Sequence, residues 1–445
     1  MGTHSNICWP NWPRGIRTLA QERRCRLAAG CAATLTILFA SAAAQAGHAL
    51  AAAALRVPVS PMRSERALAT ESKPPVQKIA VFGDDDRGPV PVELNETRDK
   101  IGLLYNGKAQ IVCTAFCVAP DVIATAAHCL YRTADDRPPA LADFVFARSR
   151  HQTQSASRIA GFASKSISQN VISGNMQIRV RPPIDAASDW ALIRLSASDC
   201  KTSLAIKTLN NEEIAQAAQA NQVFQLSYHR DYDNWEMAYS KPCEAAQSFG
   251  DVNPGMIARD FSNPQSLILH RCDTGGASSG SPLLLAAPGG PFVIGINVGT
   301  YVLSRTLMRD SGSAQRLRQD VIANTAVNAA VFQPMIAALR EASILEGIGP
   351  IRRLQQLLGD LHHYAGPMDG SYGPLLRAAI HDFELTQGLP VTGLASHDLL
   401  MLLERASIAA RRPAHVPSSA VPPLPTAATG RELSRENARN VPIRR

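Results

Sequence analysis

The chain has 445 residues, enough for two to four domains at roughly 100–200 residues each. It is 45% hydrophobic and 18% charged, a charge content below the ~25% of an average soluble domain that argues against long-range disorder as the main state; the 29 Gly and 30 Pro carry no period, which excludes a collagenous chain. The formal net charge of +8 sits at the two ends, with +4 over residues 1–26 and +6 over 405–445, which leaves −2 between them and no argument for a nucleic-acid-binding domain.

Arg23, Arg24 and Arg26 precede an apolar run from Leu27 to about Ala46, and Ala44-Gln45-Ala46 offers the small-x-small pattern that a signal peptidase needs. Residues 1–46 are therefore expected to be a cleaved secretory signal. Left uncleaved, the stretch continuing to Leu55 would be a membrane anchor, and only then is a stable membrane span expected. Cysteine use agrees with export. Three of the nine Cys lie in this leader, and the six others (Cys113, Cys117, Cys129, Cys200, Cys243, Cys272) are an even number compatible with disulfides. No CxxC pair suggests a zinc ribbon, and no metal or organic cofactor is implied.

Residues 47–78, rich in Ala, Pro, Ser and charge, read as a linker or propeptide. From Ile79 to about Ser304 short β-branched runs alternate with turn signals, as in Ile101–Tyr105, Val122–Thr125, Ala191–Leu195 and Phe292–Ile296, a spacing that predicts an all-β sandwich or barrel. Val321–Ala342 is expected to be helical, with Ala326, Ala330 and Met335 among helix formers. Beyond it, Ile351, Leu354, Leu357, Leu358 and Leu361 recur at helical spacing; Asp369-Gly370 makes a turn. Leu376, Ala379, Ile380 and Phe383 predict a second helix ended by a left-handed Gly388, and Leu399–Leu403 a third. Residues 350–404 thus form a small all-α three-helix domain near the lower size limit for independent folding, and the Pro- and Arg-rich 405–445 is expected to be a disordered tail.

Three segments carry chemistry. Thr125-Ala-Ala-His128-Cys129 follows a strand, Ser188-Asp189-Trp190-Ala191 places an acid before a buried strand, and Gly276-Ala277-Ser278-Ser279-Gly280-Ser281-Pro282 sets a serine on a tight small-residue turn. Amide hydrolysis needs a nucleophile better than a neutral hydroxyl, a histidine base to take its proton, a buried carboxylate to orient the ring, and backbone N–H groups for the oxyanion. Each segment alone also fits a bland role: His128 a satisfied core histidine, Asp189 a cap, the Ser279 segment an ordinary Gly/Ser loop. Their occurrence together, in order, favours the catalytic reading.

These segments resemble the trypsin/chymotrypsin-fold serine proteases. Phe82-Gly-Asp-Asp-Asp-Arg87 and Val293-Ile-Gly-Ile-Asn-Val-Gly299 are similar to the bacterial glutamyl-endopeptidase-like group. The resemblance, over about 79–342, implies an all-β double β-barrel of six strands each, with the site between barrels. It implies Ser279 as nucleophile, His128 as general base then acid, Asp189 as orienting carboxylate, and the N–H groups of Ala277 and Ser279 as oxyanion hole. It also implies a cystine between Cys113 and Cys129, and Cys243 and Cys272 are candidates to pair near the substrate pocket; Cys117 is expected as a free core thiol, with Cys200 unassigned. Ala277 stands where the family has Gly, so a positive φ there would carry strain or leave the hole malformed. Ser278 replaces trypsin's Asp, so activation through a salt bridge from a new N-terminus is unavailable. Asp273, Thr274 and Asn297 are pocket candidates, with turn satisfaction an equal alternative for Asp273 and Asn297. Asn297, where the glutamyl-endopeptidase group has His, supplies no charge for an acidic substrate side chain.

Leu354-Gln355, Gly366-Pro-Met-Asp369-Gly370-Ser-Tyr-Gly373, Ala379-Ile380-His-Asp-Phe383 and Gly388-Leu-Pro-Val-Thr-Gly393 resemble the peptidoglycan-binding-like domain, with Glu384 in place of the usual Gln. That resemblance implies tethering to the cell wall; such modules also serve as folding or interaction domains. Together these features describe an exported serine endopeptidase, in the periplasm, cell envelope or medium, whose partners are a protein or peptide substrate and peptidoglycan. The alternatives are a catalytically silent wall-binding protein and a hydrolase of peptidoglycan peptide stems.

Overall fold

The computed structural model describes residues 80–131, 139–148, 156–161, 167–179, 181–232, 236–308 and 315–411. The expected signal (1–46), the linker (47–78) and all of the tail beyond Arg411 lie outside the described residues. Among the described residues no helix is long and apolar enough to cross a membrane.

The chain enters through β1 (Gly88–Pro89) and a one-turn helix α1 (Asn95–Arg98). It then builds β2 (Ile101–Asn106), β3 (Ile111–Ala119), β4 (Val122–Thr125), β5 (Phe144–Arg148), β6 (Ala156–Arg158), β7 (Val171–Ser173) and β8 (Ala191–Arg194). These seven make an antiparallel sheet in the order β6-β5-β2-β3-β4-β8-β7, and a bridge between Ile159 and Leu195 closes it on itself. The β-branched and aromatic runs seen in the sequence fill its interior: Ile101, Leu104, Phe116, Ile123, Phe144, Phe146, Ile172, Leu192 and Ile193 are buried together.

The second sheet follows with β9 (Ala205–Ile206), α2 (Asn211–Gln219), β10 (Val223–Tyr228), β11 (Met237–Ser240), β12 (Ala245–Ala246), α3 (Pro254–Asp260), β13 (Leu267–His270), β14 (Pro282–Leu285), β15 (Phe292–Met308) and β16 (Gln315–Asn328). Its order is β1-β11-β10-β14-β15-β16-β13-β12, with β9 added in parallel to β15. The two curled sheets give the two-barrel, chymotrypsin-like arrangement, with seven and nine strands where six each were expected. The two-residue strands β1, β9 and β12 account for the surplus in the second sheet.

Val321–Asn328 is strand, not helix. The segment pairs with β15 on one side and β13 on the other, so both of its hydrogen-bonding edges are used, and this outweighs the helix propensity of its alanines. The helix α4 (Ala329–Glu341) begins only after Asn328, whose side chain accepts the Ala330 N–H as an N-cap. Three helices close the chain: α5 (Ile348–Asp360), α6 (Pro374–Thr386) and α7 (His397–Arg411), packed on Leu354, Leu357, Leu358, Ile380, Phe383 and Leu403. Gly388 has φ +66°, as its expected role after α6 requires. The first seven residues assigned to the tail, 405–411, belong to α7.

Among the described residues three cystines brace the two sheets. Cys113–Cys129 and Cys243–Cys272 pair as anticipated, and Cys117, expected to be free, pairs with Cys200. The connection after β8 returns to the end of β3: Cys200 N–H donates to the Pro120 carbonyl and Leu204 N–H to the Cys117 carbonyl, which sets the two sulfurs together.

Candidate active site

Strand pairing assembles the first half of the site. In β4 and β8 Thr125 lies opposite Ala191, so the residues just after Thr125 and just before Ala191 emerge at the same end of the barrel. His128 sits on a single 3₁₀ turn, Ala127–Cys129, and Asp189 ends another, Ala186–Ser188. Asp189 Oδ1 accepts the His128 backbone N–H at 2.9 Å, and Oδ2 accepts Nδ1–H at 2.7 Å. The carboxylate side chain is 7% exposed and the imidazole 33%, so the acid is shielded while the ring edge reaches solvent. Burial opposes charging of the ring, but the charge of Asp189 and its hydrogen bond outweigh it and raise the His128 pKa above its ordinary value. Nδ1–H directed at the acid leaves Nε2 as the acceptor.

The loop between β13 and β14 supplies the second half. Ser279 is half-buried, and neither its N–H nor that of Ala277 finds an acceptor among the described residues. Ala277 has φ +84°, a conformation that costs an L-residue about 1–2 kcal/mol. Gly280, at φ +83°, is packed so closely that a Cβ would lie 2.2 Å from both the Thr114 carbonyl and Thr125 Oγ1. Thr114 itself ties the loop to the first barrel. Its N–H donates to the Ser279 carbonyl (2.9 Å), its Oγ1–H to the Ala277 carbonyl (2.9 Å), and Oγ1 accepts the Tyr228 N–H (3.2 Å). In the sequence Thr114 stands in no motif and is distinguished only by its place next to Cys113. Among the described residues no hydrogen bond joins Ser279 Oγ to His128; Cys129 Sγ lies 4.0 Å from both His128 Nε2 and the Ser279 carbonyl.

The three pocket candidates are engaged within the protein. Both carboxylate oxygens of buried Asp273 accept backbone N–H groups, from Phe82 (2.8 Å) and Asp86 (3.0 Å). Thr274 exchanges two backbone hydrogen bonds with Ala80. Asn297 Oδ1 accepts Nε2–H of His270 (3.1 Å), and its amide donates to the Ser278 carbonyl (3.2 Å), bracing the loop from behind. His270 is wholly buried, its Nδ1 accepts the Cys272 N–H, and burial lowers its pKa to about 4, so the ring is neutral. His229 is also buried and neutral, its pKa lowered to about 3 by burial and by Arg87; its Nδ1 accepts the Gly275 N–H at 2.9 Å. Imidazole and sulfur meet at two places, Cys113/His128/Cys129 and Cys243/His270/Cys272, but with these sulfurs joined as cystines neither group offers a thiolate to a metal.

In the helical domain the residues of the recognised pattern hold turns. Gln355 donates to Asp369, Tyr364 and the Ser371 carbonyl and accepts the Gly370 N–H. Glu384 accepts the N–H groups of Thr392 and Gly393 and the Thr392 hydroxyl, three donors that suit a carboxylate; burial raises its pKa. Arg377, buried in α6, reaches out of the domain to Ser173 Oγ of β7 at 3.1 Å.

Comparison with known proteins bears on both parts. Residues 113–296 match the family "Trypsin-like peptidase domain", and residues 349–403 match "Putative peptidoglycan binding domain". A curated protein of Synechocystis sp., "Putative OxPP cycle protein OpcA", is 38% identical over 68 residues, 15% of this chain and 14% of that protein, so the chain spans about one-seventh of that relative. A solved structure, "Structure of Glu endopeptidase in complex with MPD", is 16% identical with a TM-score of 0.39, covering 59% of this chain and 100% of the other. The chain joins a trypsin-like peptidase domain to a C-terminal peptidoglycan-binding domain.

Proposed function

We propose that this protein is an exported serine endopeptidase that cleaves peptide bonds with Ser279, His128 and Asp189 and is held at the cell wall by its helical domain. The observation that carries the proposal is the His128–Asp189 pair at 2.7 Å beside the serine loop, with Cys129 Sγ 4.0 Å from both His128 Nε2 and the Ser279 carbonyl, and with the Ala277 and Ser279 N–H groups finding no acceptor among the described residues. In this mechanism His128 Nε2 takes the proton of Ser279 Oγ as the oxygen attacks the scissile carbonyl. Asp189 stabilises the resulting imidazolium, and the two N–H groups receive the oxyanion. His128 then returns the proton to the leaving amine, and a water molecule, deprotonated by the same ring, releases the acyl group from Ser279.

The three cystines among the described residues and the match to a peptidoglycan-binding domain support a place outside the cytoplasm. Tethering raises the local concentration of enzyme near wall-associated substrates without altering its chemistry. Asn297 and a neutral His270, which stand behind Ser279, offer no positive charge to an acidic substrate side chain. The test is digestion of fluorescein-labelled casein by the wild type and by Ser279→Ala, alongside purified muropeptides and co-sedimentation with peptidoglycan sacculi. Casein cleavage lost in Ser279→Ala, with retention on sacculi, supports the proposal. Cleavage of muropeptides alone points to a stem-peptide hydrolase, and binding without any cleavage to a silent wall-binding protein.

A further inference from the structure

The segment Ala80–Arg87 precedes the first barrel yet lies against the loop that leads into Ser279. Ala80 and Thr274 exchange N–H···O=C bonds of 3.2 and 2.9 Å. The Asp273 carboxylate then gathers the N–H groups of Phe82 and Asp86, and the Arg271 guanidinium stacks 5.6 Å from the Phe82 ring. The segment ends in Arg87, whose side chain is 1% exposed. Its guanidinium forks across Asp85 (Nε 2.9 Å, Nη2 2.9 Å) and Asp231 (Nη1 3.2 Å, Nη2 2.9 Å). Gly275 is wedged against this ion cluster: a Cβ there would lie 2.1 Å from Asp231 Oδ1 and 2.9 Å from Arg87 Nη1. The chain leading into Asp231 holds the same loop, with Gly275 N–H donating to His229 and Arg230 N–H donating to the Gly276 carbonyl at 2.6 Å. Residues 273–276 are thus held by two segments, 80–87 and 229–231, immediately before Ala277, the alanine at φ +84°.

We propose that the Ala80–Arg87 strap, locked by the Arg87–Asp231 ion pair, is a positioning element that keeps Ala277 in its left-handed conformation and so keeps its N–H turned toward the oxyanion. The proposal rests on the assignment of Ala277 and Ser279 as oxyanion donors. An L-alanine relaxes out of positive φ when its neighbours let go, whereas glycine has no such tendency. With Ser278 in place of an acid that would receive a new N-terminus, order in this loop is supplied by the strap itself. Arg87 suits the task because its planar fork holds two carboxylates at fixed angles, which a lysine cannot do.

The experiment is a cycle on the full chain with Arg87→Met, Arg87→Lys and Ala277→Gly. It reads kcat and KM on fluorescein-labelled casein and the rate of fluorophosphonate labelling of Ser279. Arg87→Met is expected to lower kcat and labelling about five- to thirty-fold, the range that loss of a singly strained residue's population allows, with KM within about twofold. Adding Ala277→Gly is expected to bring the Arg87→Met enzyme to within about threefold of Ala277→Gly alone. A merely structural Arg87 would give the same loss in both backgrounds, and that result overturns the proposal, as does full activity in Arg87→Met. If Arg87→Met shows no cooperative unfolding transition, Arg87→Lys takes its place, with a smaller loss and the same rescue expected and the same two refuting results. A wild type that neither cleaves nor labels overturns the assignment of Ser279 itself and the strap's role with it, an outcome distinct from an active wild type with indifferent Arg87 variants.

Discussion

Replacing Ala277 by glycine is expected to stabilise the protein. The residue sits at φ +84°, which costs alanine about 1–2 kcal/mol and glycine almost nothing. Against that gain, glycine adds freedom to the unfolded chain, a cost of about 0.4–1 kcal/mol. The loop is otherwise fixed by Thr114 and Asn297 through backbone and side-chain bonds that do not involve the Ala277 methyl group. The balance at the middle of these ranges is a gain of about 0.8 kcal/mol, or a rise in Tm of roughly 2–3 °C for a unit of this size. Urea denaturation with the cystines intact reads it as a higher midpoint at unchanged slope. Ala277→Val serves as the opposite arm, since a β-branched residue at positive φ is worse than alanine, and its midpoint is expected to fall. A lower midpoint for Ala277→Gly, or equal midpoints for glycine and valine, would refute the assignment of stored strain to this residue.

Three further outcomes follow from the same structure. In the proposed mechanism activity needs neutral His128, whose pKa Asp189 raises, so kcat/KM should climb with pH through a value above 6.5; in Asp189→Asn that limb should move down and kcat fall by about 10⁴-fold, and an unmoved limb contradicts the pairing. His229 and His270 are neutral when folded, with pKa values of about 3 and about 4, but take up protons near 6.5 when unfolded. Their contribution is therefore present above pH 6.5 and lost as pH falls, by about 2 kcal/mol each at pH 5, and urea midpoints at pH 7.5 and 5.0 should show a smaller drop in His270→Gln than in the wild type. Removing the Cys117–Cys200 bridge by Cys117→Ser with Cys200→Ser should cost about 4–5 kcal/mol in the chain-entropy picture for a separation of 83 residues; a loss below about 1 kcal/mol would show that the two elements are held by their packing alone.

What could be read from the chain, and what could not, follows from how far each signal reaches. Ile101–Tyr105 and Val122–Thr125 announce strands because β-branched runs between turn residues suit a pleated, half-buried surface, and the Leu354/Leu357/Leu358 spacing announces α5 for a comparable local reason. Val321–Asn328 misleads because its alanines favour a helix locally, while its place between β13 and β15 is decided by residues about 20 to 60 positions away. The Cys117–Cys200 bridge is hidden for a similar reason: its partners meet only because the chain after β8 folds back over Pro120.

The site divides along the same line. His128, Asp189 and the Ser279 loop stand in short segments whose residue types serve one chemistry, and the fold brings His128 onto Asp189. The supports around them come from elsewhere. Thr114 reads as one more strand residue until the second barrel lies against it, and the two backbone N–H groups that Asp273 accepts come from Phe82 and Asp86, 191 and 187 positions away in the chain. Ala277 is the instructive exception, since an alanine where glycine is usual already raises the question that φ +84° answers.

The central claim, that Ser279 is a nucleophile activated by His128, is tested most directly by treating residues 47–445 with a fluorophosphonate and mapping the adduct by mass spectrometry, with Ser279→Ala and His128→Ala as controls. A single adduct on Ser279, absent from Ser279→Ala and at least a hundredfold slower to form in His128→Ala, is the predicted result. Folded, fully cystine-bonded protein that takes up no label, or labels equally well without His128, would contradict it.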